Sequence, residues 1–170
     1  PDEGDVVRVV SSEGDFLGWG HVQIGSIAVR ILTFHEDEPI DAAFWRRRLS
    51  VAYDVRRSIG LAGSAQTDSY RLVHGEGDDL PGLVIDIYGR TAVMQAHSVG
   101  MHVSRRAIAE ALAEVMSGTV ENIYYKSETT LPYKAGLHDE NGYLLGGAAD
   151  DVALENGLRF PVGWRGGRRT

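Results

Sequence analysis

The sequence predicts an α+β protein: a small β-module, then an arginine-rich helix, then a larger unit in which strands flank a second helix. Three observations predict it. The first 34 residues alternate β-branched and aromatic runs with Gly/Ser breaks, a helix-period segment follows at 42–59, and from Tyr70 onward short strand-like runs recur on both sides of another helix-period segment. At 170 residues the chain can bury a substantial core, and 43% apolar against 24% charged residues is a balance that folds rather than stays solvated. No apolar run approaches the ~20 residues of a membrane span. The opening "PDEGDVVRVV" also lacks the basic and apolar regions of a signal peptide, so a cytoplasmic protein with no membrane partner is expected.

The β-module holds strands at 5–10 ("DVVRVV"), 16–20 ("FLGWG") and 26–34 ("SIAVRILTF"), separated by the turn-forming "SSEGD" and "VQIGS". "HEDEPI" then shifts the composition, and Asp41 is placed to cap a helix over 42–59 that Gly60 ends. At 100° per residue Trp45, Leu49, Ala52, Tyr53, Val55 and Ile59 share one arc, whereas Arg46, Arg47 and Arg57 lie opposite and make a basic outer face. Arg48 and Arg56 fall inside the apolar arc. Their stems should lie along the core, and their heads need acidic or carbonyl partners.

The second unit starts with strands at 70–74, 83–88 and 91–97. A helix capped by Ser98 runs to about Met116, with Ile108, Leu112, Val115 and Met116 on one side and Gly118 at its end. "VENIYYK" at 120–126 is the next strand, followed by a loop rich in Gly, Pro and polar residues. "DVALENGLRFPV" then reads as two strands joined through Asn156-Gly157, a pair suited to a turn that needs positive φ twice. There is no internal repeat.

Chemistry is narrowed first by what is missing. With no cysteine, disulfides, thiolate metal sites and a cysteine nucleophile are excluded within this chain. A net charge of -7 argues against an indiscriminate nucleic-acid binder, although local basic patches can override it. The segment "YRLVHGEGDDLPGLVIDIYG" admits two readings. His74, Glu76, Asp78 and Asp79, with Asp86, offer oxygen and imidazole ligands for Mg²⁺ or Ca²⁺ in a metal-dependent enzyme, though not at EF-hand spacing. Alternatively Gly75 and Gly77 supply unusual φ, Asp78 and Asp79 satisfy turn amides, and Pro81-Gly82 restarts the chain. The glycines lead into a strand rather than a helix, which excludes a phosphate-binding loop.

The six histidines (21, 35, 74, 97, 102 and 138) show no zinc spacing and read as packing or surface residues. No nucleophile elbow is present, and the adjacent Lys126 and Ser127 point to opposite faces of a strand. Arginine alone recurs in clusters, at 46–48, 56–57, 105–106 and 165, 168 and 169. Beside exposed aromatics such as Trp19, Tyr124, Tyr125, Tyr133 or Trp164 these would suit RNA. Equally, they would pair along a helix, as Arg106 with Glu110, and solvate a face. Spacing alone therefore leads to an RNA-facing module or a purely structural one that packs against another domain or pairs as a homodimer, with no catalytic centre of its own.

"GSIAVRILTF", "IDAAFWRRRL", "YRLVHGEGDDLPGLVIDIYG", "VENIYYKSETTLPYKAGL" and "ENGLRFPV" resemble, in that order, the N-terminal half of the S-adenosylmethionine-dependent large-subunit rRNA cytosine-C5 methyltransferases. The order Arg71, Gly75, Glu76, Asp78, Leu80, Pro81, Gly82 and Asp86 is the most specific part of the likeness. The resemblance implies a partial PUA-like β-barrel over 1–36, a linker helix over 37–69 and a central strand-strand-helix-strand-strand domain over 70–163. Residues 164–170 would start the connection to a Rossmann-like methyltransferase domain absent from this chain.

It also implies rRNA as partner, bound through Arg46, Arg47, Arg57, Lys126, Lys134, Arg165, Arg168 and Arg169. Arg71, Gly75, Pro81, Gly82 and Asp86 would be structural. The methyl donor and the family's cysteine would reside in the parent's third domain, so the 170 residues alone are expected to bind no cofactor and to be inactive. Tyr125 departs from the family, whose members commonly carry an acidic residue before Lys-Ser.

Overall fold

The computed structural model describes residues 1–127, 130–131, 141–147 and 151–164. Strands β1 (Val6–Val10), β2 (Phe16–Val22) and β3 (Val29–Thr33) form an antiparallel sheet in the order β1-β2-β3. Gly20 lets β2 and β3 approach closely, since a Cβ there would lie 2.2 Å from the Arg30 carbonyl oxygen. Helix α1 (Ala42–Ser58) follows, its first turn capped by Asp41, whose carboxylate accepts from the Phe44 N–H at 2.9 Å.

The larger unit runs β4 (Ser69–His74), a 3₁₀ turn over Gly75–Asp78, β5 (Leu83–Tyr88), β6 (Thr91–Ala96), α2 (Val99–Val103), α3 (Arg105–Val115), β7 (Asn122–Tyr125) and β8 (Gly142–Leu145). Its five strands pair in sequence order, antiparallel except for the parallel β6/β7 pair. A parallel pair needs a crossover, and α2 and α3 supply it. A separate hairpin, β9 (Asp151–Glu155) and β10 (Leu158–Val162), turns through Asn156 (φ 50°) and Gly157 (φ 81°). Both central residues are left-handed, as a two-residue hairpin turn demands.

Period-two alternation decides what covers each face of the large sheet. Ile85 and Ile87 of β5, Ala92 and Met94 of β6, and Ile123 and Tyr125 of β7 join Phe44, Trp45 and Leu49 of α1 and Ile108 and Leu112 of α3 in one core. On the opposite face Tyr88, Val93 and Tyr124 meet Ala153 and Phe160 of the hairpin, and Trp164. The hairpin is tied back to residues 66–68: the Leu154 N–H donates to the Asp68 carboxylate at 2.6 Å, and the Gly157 N–H to the Gln66 carbonyl at 2.9 Å. The small sheet docks through Leu32, which joins the main core, and through His21, whose ring stacks on Trp45 with centroids 6.3 Å apart.

Four expectations are corrected. The helix expected from Ser98 to Met116 breaks at Ser104, where ψ falls to 0° and the Arg105 guanidinium takes up the His102 carbonyl at 2.9 Å. The stretch read as a loop after Lys126 contains β8, a strand of four residues too short to carry a period. With β8 included, the sheet has three strands before its helices and two after, rather than two and two, and the hairpin stands outside it. Val55 and Ile59 were placed on the buried arc of α1 yet are 45% and 63% exposed, while Phe44 is fully buried. Periodicity fixes a stripe but not how far along the axis a partner extends. Arg56 occupies the inner side of the last turns, and Val51, Val55 and Ile59 are left as an exposed apolar row.

Candidate nucleic-acid interface

The arginines of α1 divide by face. Arg48 lays its guanidinium 5.0 Å from the Phe44 ring, donates to the Leu32 carbonyl at 2.8 Å, and sits 3.6 Å from Glu38 and 3.5 Å from Asp79. Arg56 donates to the Arg71 carbonyl at 3.0 Å and grips both oxygens of Asp78, with Nη2 to Oδ2 at 2.8 Å. These are the acidic and carbonyl partners that burial of a guanidinium demands.

On the outer side Arg57 lies 5.5 Å from the Tyr53 ring and 3.9 Å from Asp54, and Arg47 is exposed with no ion pair among the described residues. Arg46 lies on the outer side with 42% of its side chain exposed, but it is not free. It reaches across to α3 and meets Glu114 at 3.3 Å. Arg106 is exposed and forms no ion pair with Glu110 among the described residues. Lys126 is half-buried beside β7. Lys134, Arg165, Arg168 and Arg169 lie outside the described residues.

The acidic segment folds as a 3₁₀ turn that leaves through Asp79 in the left-handed region (φ 56°). Its carboxylates diverge onto different arginines: Asp78 onto Arg56, Asp79 onto Arg48, and Glu76 onto Arg30 at 3.1 Å. Asp78 also accepts from the His74 N–H at 2.6 Å. Asp86 stands opposite Arg71 in the β4/β5 register and accepts from its Nε at 2.8 Å and its Nη2 at 3.2 Å, which holds the guanidinium pKa above its ordinary value. Among the described residues no group of three His, Asp or Glu converges as metal ligands would. Gly75 and Gly82 take φ of +53° and +86°, and a Cβ at Gly82 would come 2.5 Å from the Ser98 hydroxyl. Pro81 is buried beside them, and the Leu83 N–H closes the turn onto the Leu80 carbonyl at 3.0 Å.

The aromatics expected to be exposed near the arginines are not. Tyr124, Tyr125 and Trp164 are at most 7% exposed, and half-buried Trp19 donates to the Glu36 carbonyl at 3.1 Å. Tyr133 is outside the described residues. A strand covered on both faces buries successive side chains, which is why the adjacent tyrosines of β7 are both inside. The Tyr125 hydroxyl lies 2.7 Å from His102 Nδ1. Ser127 is fully buried and accepts from the Ala96 N–H at 2.9 Å, a structural use.

Where β3 faces the ends of β4, β5 and β6, a cleft of about 280 Å³ opens between the two sheets. Arg30, His74, Glu76 and His97 supply its polar wall, and Leu83 and Val84 its apolar one. Burial lowers the pKa of His97, and the Arg71 charge lowers it further, with Glu76 opposing. From the sequence His97 reads as a packing or surface residue, and Arg30 stands outside every arginine cluster. No spacing connects Arg30 with Glu76, 46 residues away. His21, on β2 and packed against Trp45 of α1 and Gly100 of α2, is 3% exposed, its Nε2 has no hydrogen-bond partner among the described residues, and burial pushes its pKa down to about 4.

Comparison with known proteins follows this geometry. The PUA-like domain family matches residues 1–34. Over 98% of its length the chain is 36% identical to ribosomal RNA large subunit methyltransferase I of Alteromonas mediterranea and 35% identical to that of Klebsiella pneumoniae; it is 34% identical to the Tolumonas auensis protein over all of it. The chain spans 42–43% of the length of these curated relatives. Two solved structures assigned as methyltransferases, one in complex with SAH and one from Streptococcus mutans, share the fold: TM-score 0.76 at 21% identity, covering 94% of this chain and 40% of theirs. The relatives are thus rRNA methyltransferases, and the mixed α+β architecture with several sheets is one found in methyltransferase structures.

Among the described residues no glycine-rich turn joins a strand to a helix. The glycine-bearing loop over 75–82 leads from strand to strand, and β6 passes into α2 through His97-Ser98 rather than through glycines whose amides would face an anion. No described helix is long and apolar enough to cross a membrane.

Proposed function

We propose that this chain is the RNA-binding, substrate-positioning N-terminal region of a cytoplasmic S-adenosylmethionine-dependent rRNA (cytosine-C5) methyltransferase. The observation that carries the reading is colinear identity of 34–36% with large-subunit rRNA methyltransferases across 98–100% of this chain. Residues 1–36 serve as the PUA-like module, 37–69 as the linker helix and 70–163 as the central domain, with 164–170 leading onward. Methyl transfer and its cofactor belong to the part of the parent outside these 170 residues, which alone hold RNA without acting on it. The choice of cytosine C5 rests on the ordered motif from Arg71 to Asp86.

Large-subunit rRNA is bound through phosphate contacts from Arg46, Arg47, Arg57 and Lys126, joined by Lys134, Arg165, Arg168 and Arg169. The outward exposure of Arg47 and Arg57 on α1 supports this face. The test is the salt dependence of rRNA-fragment binding by the 170-residue chain. Replacing Arg46, Arg47 and Arg57 by Ala should lower the slope of log K against log [salt] by roughly 2 to 3, at about 0.7–0.9 per lost phosphate contact. An unchanged slope removes this face from the reading.

A second reading, a packing domain that pairs with a second copy of itself, draws on the exposed row Val51, Val55 and Ile59. Sedimentation of a monomer at high concentration would dismiss it.

A further inference from the structure

We infer that the cleft between the β-module and the large sheet takes one unpaired RNA nucleotide, base first. This rests on the RNA-binding reading above and assigns the site within it. Sequence-specific RNA recognition works on single-stranded bases splayed out of the stack, held on flat side chains and hydrogen-bonded along their edges. The cleft has the parts for that and little else. Its volume of about 280 Å³ is at the small end of ligand pockets, enough for a single base with its sugar and too little for a duplex.

Its charge argues for a base over a bare phosphate. Arg30 is matched by Glu76 at 3.1 Å and Arg71 by Asp86 at 2.8 Å, so these two pairs bring no net charge to the wall, and Glu76 would repel an anion. What remains is a donor and an acceptor side by side. The Glu76 carboxylate accepts from a base N–H, and the guanidinium of Arg30, whose Nε is already turned to Gln23 at 2.6 Å, keeps N–H groups for the adjacent ring nitrogen or carbonyl. Every RNA base presents an N–H beside an acceptor on one edge: cytosine its amine and N3, adenine its amine and N1, guanine its N1–H and O6, uracil its N3–H and O4.

The two imidazoles flank the start of β5, since His74 pairs with Val84 across the β4/β5 ladder and the His97 N–H donates to the Gly82 carbonyl at 2.8 Å. Arg71 Nη1 lies 3.3 Å from His74 Nδ1 and has only hydrogens to offer, so Nδ1 accepts and, in the neutral ring, the proton sits on Nε2. His97, its pKa lowered by burial and by Arg71, presents a neutral ring suited to stacking at neutral pH.

The experiment is a titration of the 170-residue chain with cytidine and uridine 5′-monophosphates, followed by the histidine Hε1 resonances. His74 and His97 should shift along saturable curves with both nucleotides while His35 does not, and inorganic phosphate at the same concentration should leave them in place. Arg30→Lys keeps the charge but loses the planar fork, and Glu76→Gln keeps the size but loses the charge. Both variants should retain the fold and weaken binding of either nucleotide. In parallel, Arg30→Lys should weaken single-stranded rRNA-fragment binding with the salt slope unchanged, unlike the outer-arginine variants. If RNA binds and the outer arginines behave as phosphate contacts, yet neither histidine shifts and Arg30→Lys is silent, the cleft is overturned and the RNA reading stands. If no RNA binds at all, both fall.

Discussion

The two sides of α1 carry the same residue type to opposite ends. Arg56 is 13% exposed in its side chain and closes a bidentate pair on an Asp78 that is itself 7% exposed, whereas Arg57, the next residue, is 60% exposed and meets Asp54 only at 3.9 Å. One hundred degrees of helix rotation separates a residue that joins three elements from one that faces water. The difference teaches that a run of arginines is not a unit of function. What each guanidinium finds across from it decides whether it holds the fold or is available to a polyanion. The same sorting dissolves the acidic segment as a metal site, because its carboxylates are drawn apart by three arginines, Arg48 and Arg56 about two turns apart on α1 and Arg30 on β3.

The sharpest way to break this contrast is Arg56→Ala, which leaves Asp78 buried without its partner. It should cost about 3–5 kcal/mol in urea unfolding, the scale of removing one member of a buried pair. A loss below 1 kcal/mol would place Arg56 with the surface arginines after all.

Next in size is an effect of pH on the contact between the small sheet and α1. Burial holds His21 near a pKa of about 4, below the unfolded value of about 6.5, so the folded state favours the neutral ring. The unfolded chain then takes up a proton between these values and the folded chain does not. Stability contributed by His21 is present above pH 6.5, falls as pH drops toward 4, and levels off below. Between pH 7 and pH 5 this amounts to about 2 kcal/mol. His21→Gln should flatten that part of the stability profile, and an unaltered slope would assign it to other groups.

The smallest effect belongs to the outer face. Arg47→Ala and Arg57→Ala should each change stability by no more than about 0.5 kcal/mol, the usual range for exposed positions. A larger loss for either would show that the face is structural and weaken its claim to RNA.

Much of this was legible in the chain itself. Asp41 and Gly60 bracket α1, Asn156-Gly157 turns the hairpin, and Arg48 and Arg56 announced their need for partners by falling on an apolar arc. What could not be read was of one kind. β8 is four residues with no period to detect, Val55 and Ile59 obey the helical repeat but outrun the surface that would cover them, and Tyr124 and Tyr125 looked available only because nothing local reveals that both faces of β7 are covered. The cleft is the extreme case, since Arg30, Glu76 and His97 come from three strands or turns with no shared motif.

By itself the sequence determined the elements, their caps and turns, the absence of thiol chemistry and the ordered motif from Arg71 to Asp86, because these depend on neighbours within a few residues. Only the tertiary structure decided which arginines are spent on internal carboxylates, which aromatics are hidden, and that two histidines and a carboxylate meet an arginine of the other sheet. Those outcomes depend on contacts between residues tens of positions apart, whose partners no local period or propensity encodes.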